Sequence, residues 1–253
     1  MDHKSSMTTL SGGIRFLPGS ADILIVSPHS PMRDGVYQND LRTGVIAEEV
    51  QRRLACCAII NDRFVKPTPQ ISKSLDGFLL DLFRIDHGTK VPGYLECIRR
   101  VAETEGRTLV VWVHGIADKV ALFQGELHME RGAFGGPSEA LHALIGWGQG
   151  GDPKTGDGRD RHSAARVTVE TLRERLTAGG MTTLLTHPTG NNFRGRDEKR
   201  LNQWFNHLGI GLDRVESLQL EIKETGFRDS DENALKTGAV IARALRSWGV
   251  KES

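Results

Sequence analysis

The sequence predicts an α/β fold, a sheet sandwiched between helices on both faces. Three observations support this. Short apolar runs closed by turn residues recur along the chain and read as buried strands. Between them lie stretches whose apolar residues fall at helical spacing. The connections are mostly short, and strands that alternate with helices in this way build a layered α/β unit.

Residues 13–17 and 22–27 read as the first two strands, and the second runs into Ser27-Pro28-His29. Pro28 cannot donate a ladder hydrogen bond, so it suits the strand's end. Asp40 is placed to cap a helix whose apolar positions are Leu41, Val45, Ile46, Val50 and Leu54. A buried strand follows over 55–60, then a Pro- and Ser-containing loop from Lys66 to Ser74. A short segment, Leu79-Leu-Asp81-Leu-Phe-Arg84, leads to a helix over 91–104, with Pro92 tolerated in its first turn. The clearest strand is Thr108–Val113, which ends at His114 and so repeats the pattern of a strand followed by histidine.

Residues 141–146 form a further strand, and the Gly- and Asp-rich stretch 148–160 is expected to be mobile. An amphipathic helix over 163–177, a strand over 182–187, a polar turn over 188–196 and a helix over 197–208 come next. Residues 217–222 are a strand carrying one carboxylate, Glu221, and an amphipathic helix over 230–248 closes the fold. Neither a repeat nor a linker interrupts this succession, so residues 1–253 are expected to form one domain with a flexible lead-in over 1–12.

Composition removes several function classes. Lys and Arg number 33 against 32 Asp and Glu, a net charge of +1, so no field favours nucleic acid. Apolar runs stay well short of the roughly 18 residues that would span a bilayer. The first residues lack the layout of a signal peptide, and a cytoplasmic location is expected. Cys56, Cys57 and Cys97 are odd in number and lack metal-knuckle spacing. They are expected to be reduced and buried, with Cys56 and Cys57 on opposite faces of a strand. Gly146-Trp-Gly148-Gln-Gly-Gly151 fits a dinucleotide fingerprint, but the residues after it break a helix where the pyrophosphate would need one. Ser27 and Ser30 lack the strand–turn–helix elbow of a serine hydrolase. The charges from Arg194 to Arg200 are mixed in sign and read as a solvated helix start.

The residues able to carry chemistry are His29, His114, Asp40 and Glu221. Ligands in open α/β sheets bind beyond the carboxyl ends of strands, and His29 and His114 both sit at such ends. With Asp40 they offer two imidazoles and a carboxylate, the donor set of a catalytic zinc site with an open position. Glu221, alone on an apolar strand, is the candidate to move the proton of an attacking water. Taken one by one, the same residues have plainer readings: a structural histidine, a helix cap, an edge-strand glutamate.

Five motifs taken in order carry a family resemblance: Ser-Pro-His29-Ser, Asp40-Leu-Arg-Thr43, Asp81-Leu-Phe-Arg84, Val-His114-Gly and Leu-Gln-Leu-Glu221-Ile. Together they resemble the N-formylglutamate amidohydrolase family, which is related to the zinc carboxypeptidases and aspartoacylases. The likeness spans residues 25 to 225 or so.

The resemblance implies a three-layer αβα sandwich with a mixed central sheet, of the zinc-carboxypeptidase or phosphorylase/hydrolase kind. It implies one Zn2+ per chain held by His29, Asp40 and His114, with Glu221 as general base and acid. It implies that Arg84 binds the carboxylate of a small substrate. Arg194, in Asn192-Phe-Arg194-Gly195, resembles a turn near the family's substrate and is a second carboxylate clamp. Phe83 departs from the pattern, which usually has Asn there, and this removes a polar contact. Asp34 remains an alternative carboxylate ligand, and His128 a further residue that can approach the site.

The expected activity is zinc-dependent hydrolysis of an amide in an N-formyl or N-acyl amino acid. The alternatives are a carboxypeptidase-like or γ-glutamyl peptide hydrolase using the same metal site, its longer groove shaped by 64–78 and 148–160, and a non-catalytic binder of acidic ligands on the same scaffold.

Overall fold

A computed structural model describes residues 13–30, 40–67, 78–104, 106–121, 124, 141–150, 161–186, 192–246 and 248. A seven-stranded sheet runs through it. Its strands are β1 (Ile14–Leu17), β2 (Ser20–Ser27), β3 (Cys56–Asn61), β4 (Thr108–Ile116), β5 (Ala143–Gly146), β6 (Thr183–Leu185) and β7 (Val215–Lys223). They lie in the order β1-β3-β2-β4-β7-β5-β6. The sheet is mixed: β3, β2, β4 and β7 are parallel neighbours, β1 runs against β3, and β5 runs against β7.

Among the described residues, four helices of more than two turns cover its two faces: α1 (Thr43–Leu54), α2 (Tyr94–Ala102), α3 (Arg166–Ala178) and α4 (Asp231–Leu245). Side chains on a strand alternate between faces, and the two cores follow that rule. Ile23, Ile25, Leu109, Val111, Leu218 and Leu220 pack with α1, α3 and α4. Leu24, Val26, Val110 and Trp112 pack with α2 and with Phe83, Leu201 and Phe205. Cys56 and Cys57 fall into opposite cores, as their adjacency requires. All three cysteines are buried thiols outside any disulfide, and burial pushes the Cys56 thiol up to about 12. Among the described residues, no helix is long and apolar enough to cross a membrane.

The central strands place the site. From β2 the chain builds outward through α1 to β3, then returns by α2 to β4 on the other side of β2. The strand order therefore reverses between β2 and β4. A crevice opens at such a point, beyond the carboxyl ends of the strands.

Several sequence expectations are corrected here. The first helix begins at Thr43 rather than after an Asp40 cap: its cap position is Arg42, in the left-handed conformation at φ 67. Asp40 precedes that turn, and its side chain is committed elsewhere. Residues 197–208 do not form one helix; a 3-10 turn (Leu201–Gln203) leads into a single α-turn (Trp204–His207). A hydrogen bond from Leu201 N–H to Phe83 O and another from Ile85 N–H to Lys199 O bind this segment to the 81–85 loop. Tertiary pairing of that kind overrides the helical periodicity. The strands expected over 141–146 and 182–187 are shorter, as the bounds of β5 and β6 show. The last helix starts at Asp231, where Ser230 accepts a capping bond from Asn233 N–H. Most of the 148–160 stretch, together with Asp34 and His128, lies outside the described residues.

Candidate metal centre

His29 follows β2 by two residues and is fully buried. Its Nε2 lies 2.7 Å from Asp81 Oδ1, while its Nδ1 has no hydrogen-bond partner and lies 3.8 Å from Asp40 Oδ2. His114 is on β4, and its Nδ1 lies 3.0 Å from Asp40 Oδ1; its buried Nε2 also has no partner. The two imidazole rings are 5.2 Å apart. One ligand atom from each of His29, Asp40 and His114 can be chosen so that all lie within 4.8 Å of one another. Among the described residues this is the only such trio of His, Cys, Asp or Glu.

Asp40 is held by contacts distant in sequence. Its Oδ1 accepts the Gly115 N–H at 2.9 Å. The turn behind it is tied down by Thr43, whose hydroxyl donates to Asp40 O at 2.8 Å and meets Ser27 Oγ at 2.7 Å. Gly44 N–H donates to Ser30 Oγ at 2.9 Å, and a Cβ on Gly44 would collide with that serine. The Asp-x-x-Thr-Gly spacing is thus a clamp joining the start of α1 to the end of β2. Arg228, fully buried, donates to Leu41 O, Ile116 O and Ile222 O, so one guanidinium holds the Asp40 turn against the ends of β4 and β7.

Asp81, quoted within a motif but given no separate role at the sequence level, is the link behind His29. It accepts from Phe83 N–H and from Arg200 Nη1, the latter at 2.7 Å, as well as facing His29. A carboxylate on the far nitrogen of a metal-binding histidine fixes its tautomer and ring orientation. The signal for this role was an acid set between apolar neighbours, Leu80 and Leu82, in a segment too apolar to lie on the surface. Asp81→Asn is expected to weaken zinc affinity by about 10–100-fold, measured by competition with a chromophoric chelator. Unchanged affinity would show that Asp81 does not act through His29.

Glu221 stands beside His114 in the parallel pairing of β4 and β7. Leu218, Leu220 and Ile222 take the core face of β7, so Glu221 lies on the opposite face, where His114 also projects. The electrostatics divide these groups. Burial, and then the charge of Asp40, push the Glu221 carboxyl up to about 8. Burial pushes His114 down to about 4, which keeps a neutral imidazole able to act as a ligand. Burial opposes charge on His29, but Asp81 and Asp40 together outweigh it and raise its pKa. Asp40 is buried as well, yet the hydrogen bond from His114 and the nearness of His29 hold it well below the usual carboxylate range.

Phe83 closes one side. It is 5 % exposed, its ring meets His114 edge-on at 4.4 Å, and it packs on Trp112 at 5.2 Å. Arg84 turns to Asp86, with Nε and Nη2 each 2.9 Å from that carboxylate. Arg194 is buried in a 3-10 turn (Asn192–Arg194), and Gln219 Nε2 donates to Phe193 O, tying that turn to β7 two residues before Glu221. The structure therefore gathers His29, Asp40, His114 and Glu221, with Asp81 behind them, and leaves Arg84 on a carboxylate of its own loop. Arg200 and Lys66, whose charges are felt at Glu221 and Asp81, were not singled out by sequence.

No protein-family profile matches the chain, nor does any curated protein. Solved structures do match. N-formylglutamate amidohydrolase from Ralstonia eutropha JMP134 superimposes with a TM-score of 0.55 at 13% identity, covering 92% of this chain and 96% of that one. The fold is shared. The gene product Atu2144 from Agrobacterium tumefaciens gives 0.52 at 10% identity, covering 93% and 94%. A putative carboxypeptidase from Burkholderia mallei gives 0.51 at 11% identity, covering 92% of this chain but 58% of its own. The α/β fold expected from sequence, with its mixed sheet, is therefore the fold of this group of structures.

The donor set fits a metal. Two imidazoles and a carboxylate match the three protein ligands of catalytic zinc sites. The buried, unpartnered nitrogens of both histidines are costly to keep without something to bind.

Proposed function

We propose that the protein is a zinc-dependent hydrolase of amide bonds, acting on a small N-acyl amino acid or a related amide that carries a carboxylate. The observation carrying this reading is the buried trio of His29, Asp40 and His114 with Glu221 at its side. The shared fold supports it.

On this reading His29, Asp40 and His114 hold one zinc ion. When bound, such an ion supplies Lewis acidity to a carbonyl and acidity to a water. Glu221 accepts a proton from the attacking water at its carboxylate and returns it to the departing nitrogen. Its place beside His114, on the same face of the sheet, puts its carboxylate next to the trio. Asp81 keeps His29 in one tautomer and one orientation. Phe83 and Trp112 form an apolar wall that keeps bulk water from the face of His114. Phe83 also stands where an Asn side chain would offer hydrogen bonds, so the substrate differs from N-formylglutamate in what it presents there.

The test is a panel of N-formyl, N-acetyl and longer N-acyl amino acids beside short peptides with free carboxyl termini, assayed with zinc-loaded protein for release of free amine. Turnover of the acyl amino acids, abolished by a chelator and restored by zinc, is the expected result. Turnover of peptides alone would move the substrate to the carboxypeptidase class, and no turnover by a zinc-loaded protein would remove the enzyme reading.

A further inference from the structure

We propose that Arg200, rather than Arg84, receives the anionic end of the substrate, so that selectivity for an acid is set at the Asp81–Phe83 side of the site. This rests on the reading of His29, Asp40 and His114 as the reacting end.

Two independent contacts place Arg200 one residue away from the trio. Its Nη1 donates to Asp81 Oδ2 at 2.7 Å, and the other oxygen of that carboxylate holds His29. Its guanidinium carbon also lies 5.8 Å from the centre of the Phe83 ring, the ring that covers His114. The backbone keeps it there: Arg84 and Arg200 form an antiparallel bridge, flanked by the two hydrogen bonds that bind the 199–201 strip to the 83–85 strip.

The two arginines of that bridge are used differently. Arg84 presents Nε and Nη2 to both oxygens of Asp86, which is the forked edge a substrate carboxylate would need. Arg200 gives Asp81 a single nitrogen, and Asp197 lies at a looser 3.5 Å from its Nε. A guanidinium carries five N–H donors, so capacity for an anion remains at Arg200. Its side chain is 26% exposed, enough to meet a ligand. Lys66 adds positive charge that is felt at Asp81, His114 and Glu221. A guanidinium, an apolar ring and a carboxylate-held histidine together describe a subsite for a short acid.

The rival account is that Arg200 only neutralises Asp81. Calorimetry on zinc-loaded protein separates the two, with succinate as the anionic probe and succinamide as its neutral counterpart. Arg200→Gln is expected to weaken succinate binding about tenfold or more, the scale of one charge-assisted hydrogen bond, and to leave succinamide unchanged. Arg200→Lys should fall between, since it keeps the charge and loses the fork. Arg84→Gln should stay within about twofold of wild type, as befits an arginine engaged in a surface ion pair.

Equal weakening of both probes by Arg200→Gln would overturn the proposal in favour of bracing Asp81. Loss of the succinate preference in Arg84→Gln alone would return the role to Arg84. A wild-type protein with full zinc and no preference for succinate would also overturn it, leaving the hydrolase reading in place. Zinc content of the same samples reports separately on the metal reading: a wild type that takes up no zinc would sink that reading itself.

Discussion

Glu221→Gln is expected to lower turnover by roughly a thousandfold, within the range that general acid–base groups contribute, while zinc content stays at the wild-type value. Gln fills the same space on β7 but can neither take a proton from water nor hand one to the leaving nitrogen. His29, Asp40 and His114 are untouched, because Glu221 neighbours His114 in the sheet without belonging to the trio. Full activity in the variant would remove Glu221 from the reaction, and loss of zinc would place it among the ligands.

The same substitution has a signature in stability. In the metal-free protein the folded-state pKa of Glu221, about 8, lies above its ordinary 4.5. Between those values the folded chain keeps a proton that the unfolded chain has released. The stability contributed by this protonation is whole below pH 4.5 and is lost as pH rises to about 8. Gln has no proton to lose, so Glu221→Gln should gain stability relative to wild type across that window. Denaturation midpoints measured with a chelator present would read it, and parallel pH curves for the two proteins would contradict it.

His29→Ala and His114→Ala are each expected to take zinc content from about one ion per chain to essentially none, because a catalytic site has only three protein ligands and cannot spare one. Elemental analysis of dialysed protein gives the answer directly. In His114→Ala, Asp40 keeps its bond from Gly115 N–H, so the turn should persist and circular dichroism should match wild type. Asp40→Asn should behave as the histidine variants do, and Asp34→Asn as wild type; the opposite pair of results would exchange the carboxylate ligand. Normal zinc in His114→Ala would strike that residue from the ligand set. If wild type itself holds no metal after zinc is supplied, the physical basis for hydrolysis goes, and binding of an acidic ligand becomes the better reading.

Much of this was legible in the chain because period and burial are local properties. The apolar run Thr108–Val113 and the strand pattern over 217–222 announce strands that the structure places at the centre of the sheet. A histidine at the end of each of two apolar runs is visible without any knowledge of their neighbours, although β4 continues past His114 to Ile116. Adjacent Cys56 and Cys57 had to diverge, and they do. The Asp40-Leu-Arg-Thr43 spacing pointed at a helix start, and the helix begins at Thr43, two residues later than a cap at Asp40 would put it.

Other features were settled only by tertiary structure. Local reasoning made Asp40 a helix cap, but its partner His114 lies 74 residues away, and the two meet because β4 pairs with β2 in the sheet order. Asp81 and Arg200 are 119 residues apart, and no periodicity connects them. Arg84 has the right chemistry for a carboxylate, yet a neighbouring acid two residues along its own loop reaches it first. A sequence reports which face of its own element a side chain takes. Which faces meet is decided by strand order and loop closure, and the distances and pKa shifts that turn residues into a site exist only after that choice is made.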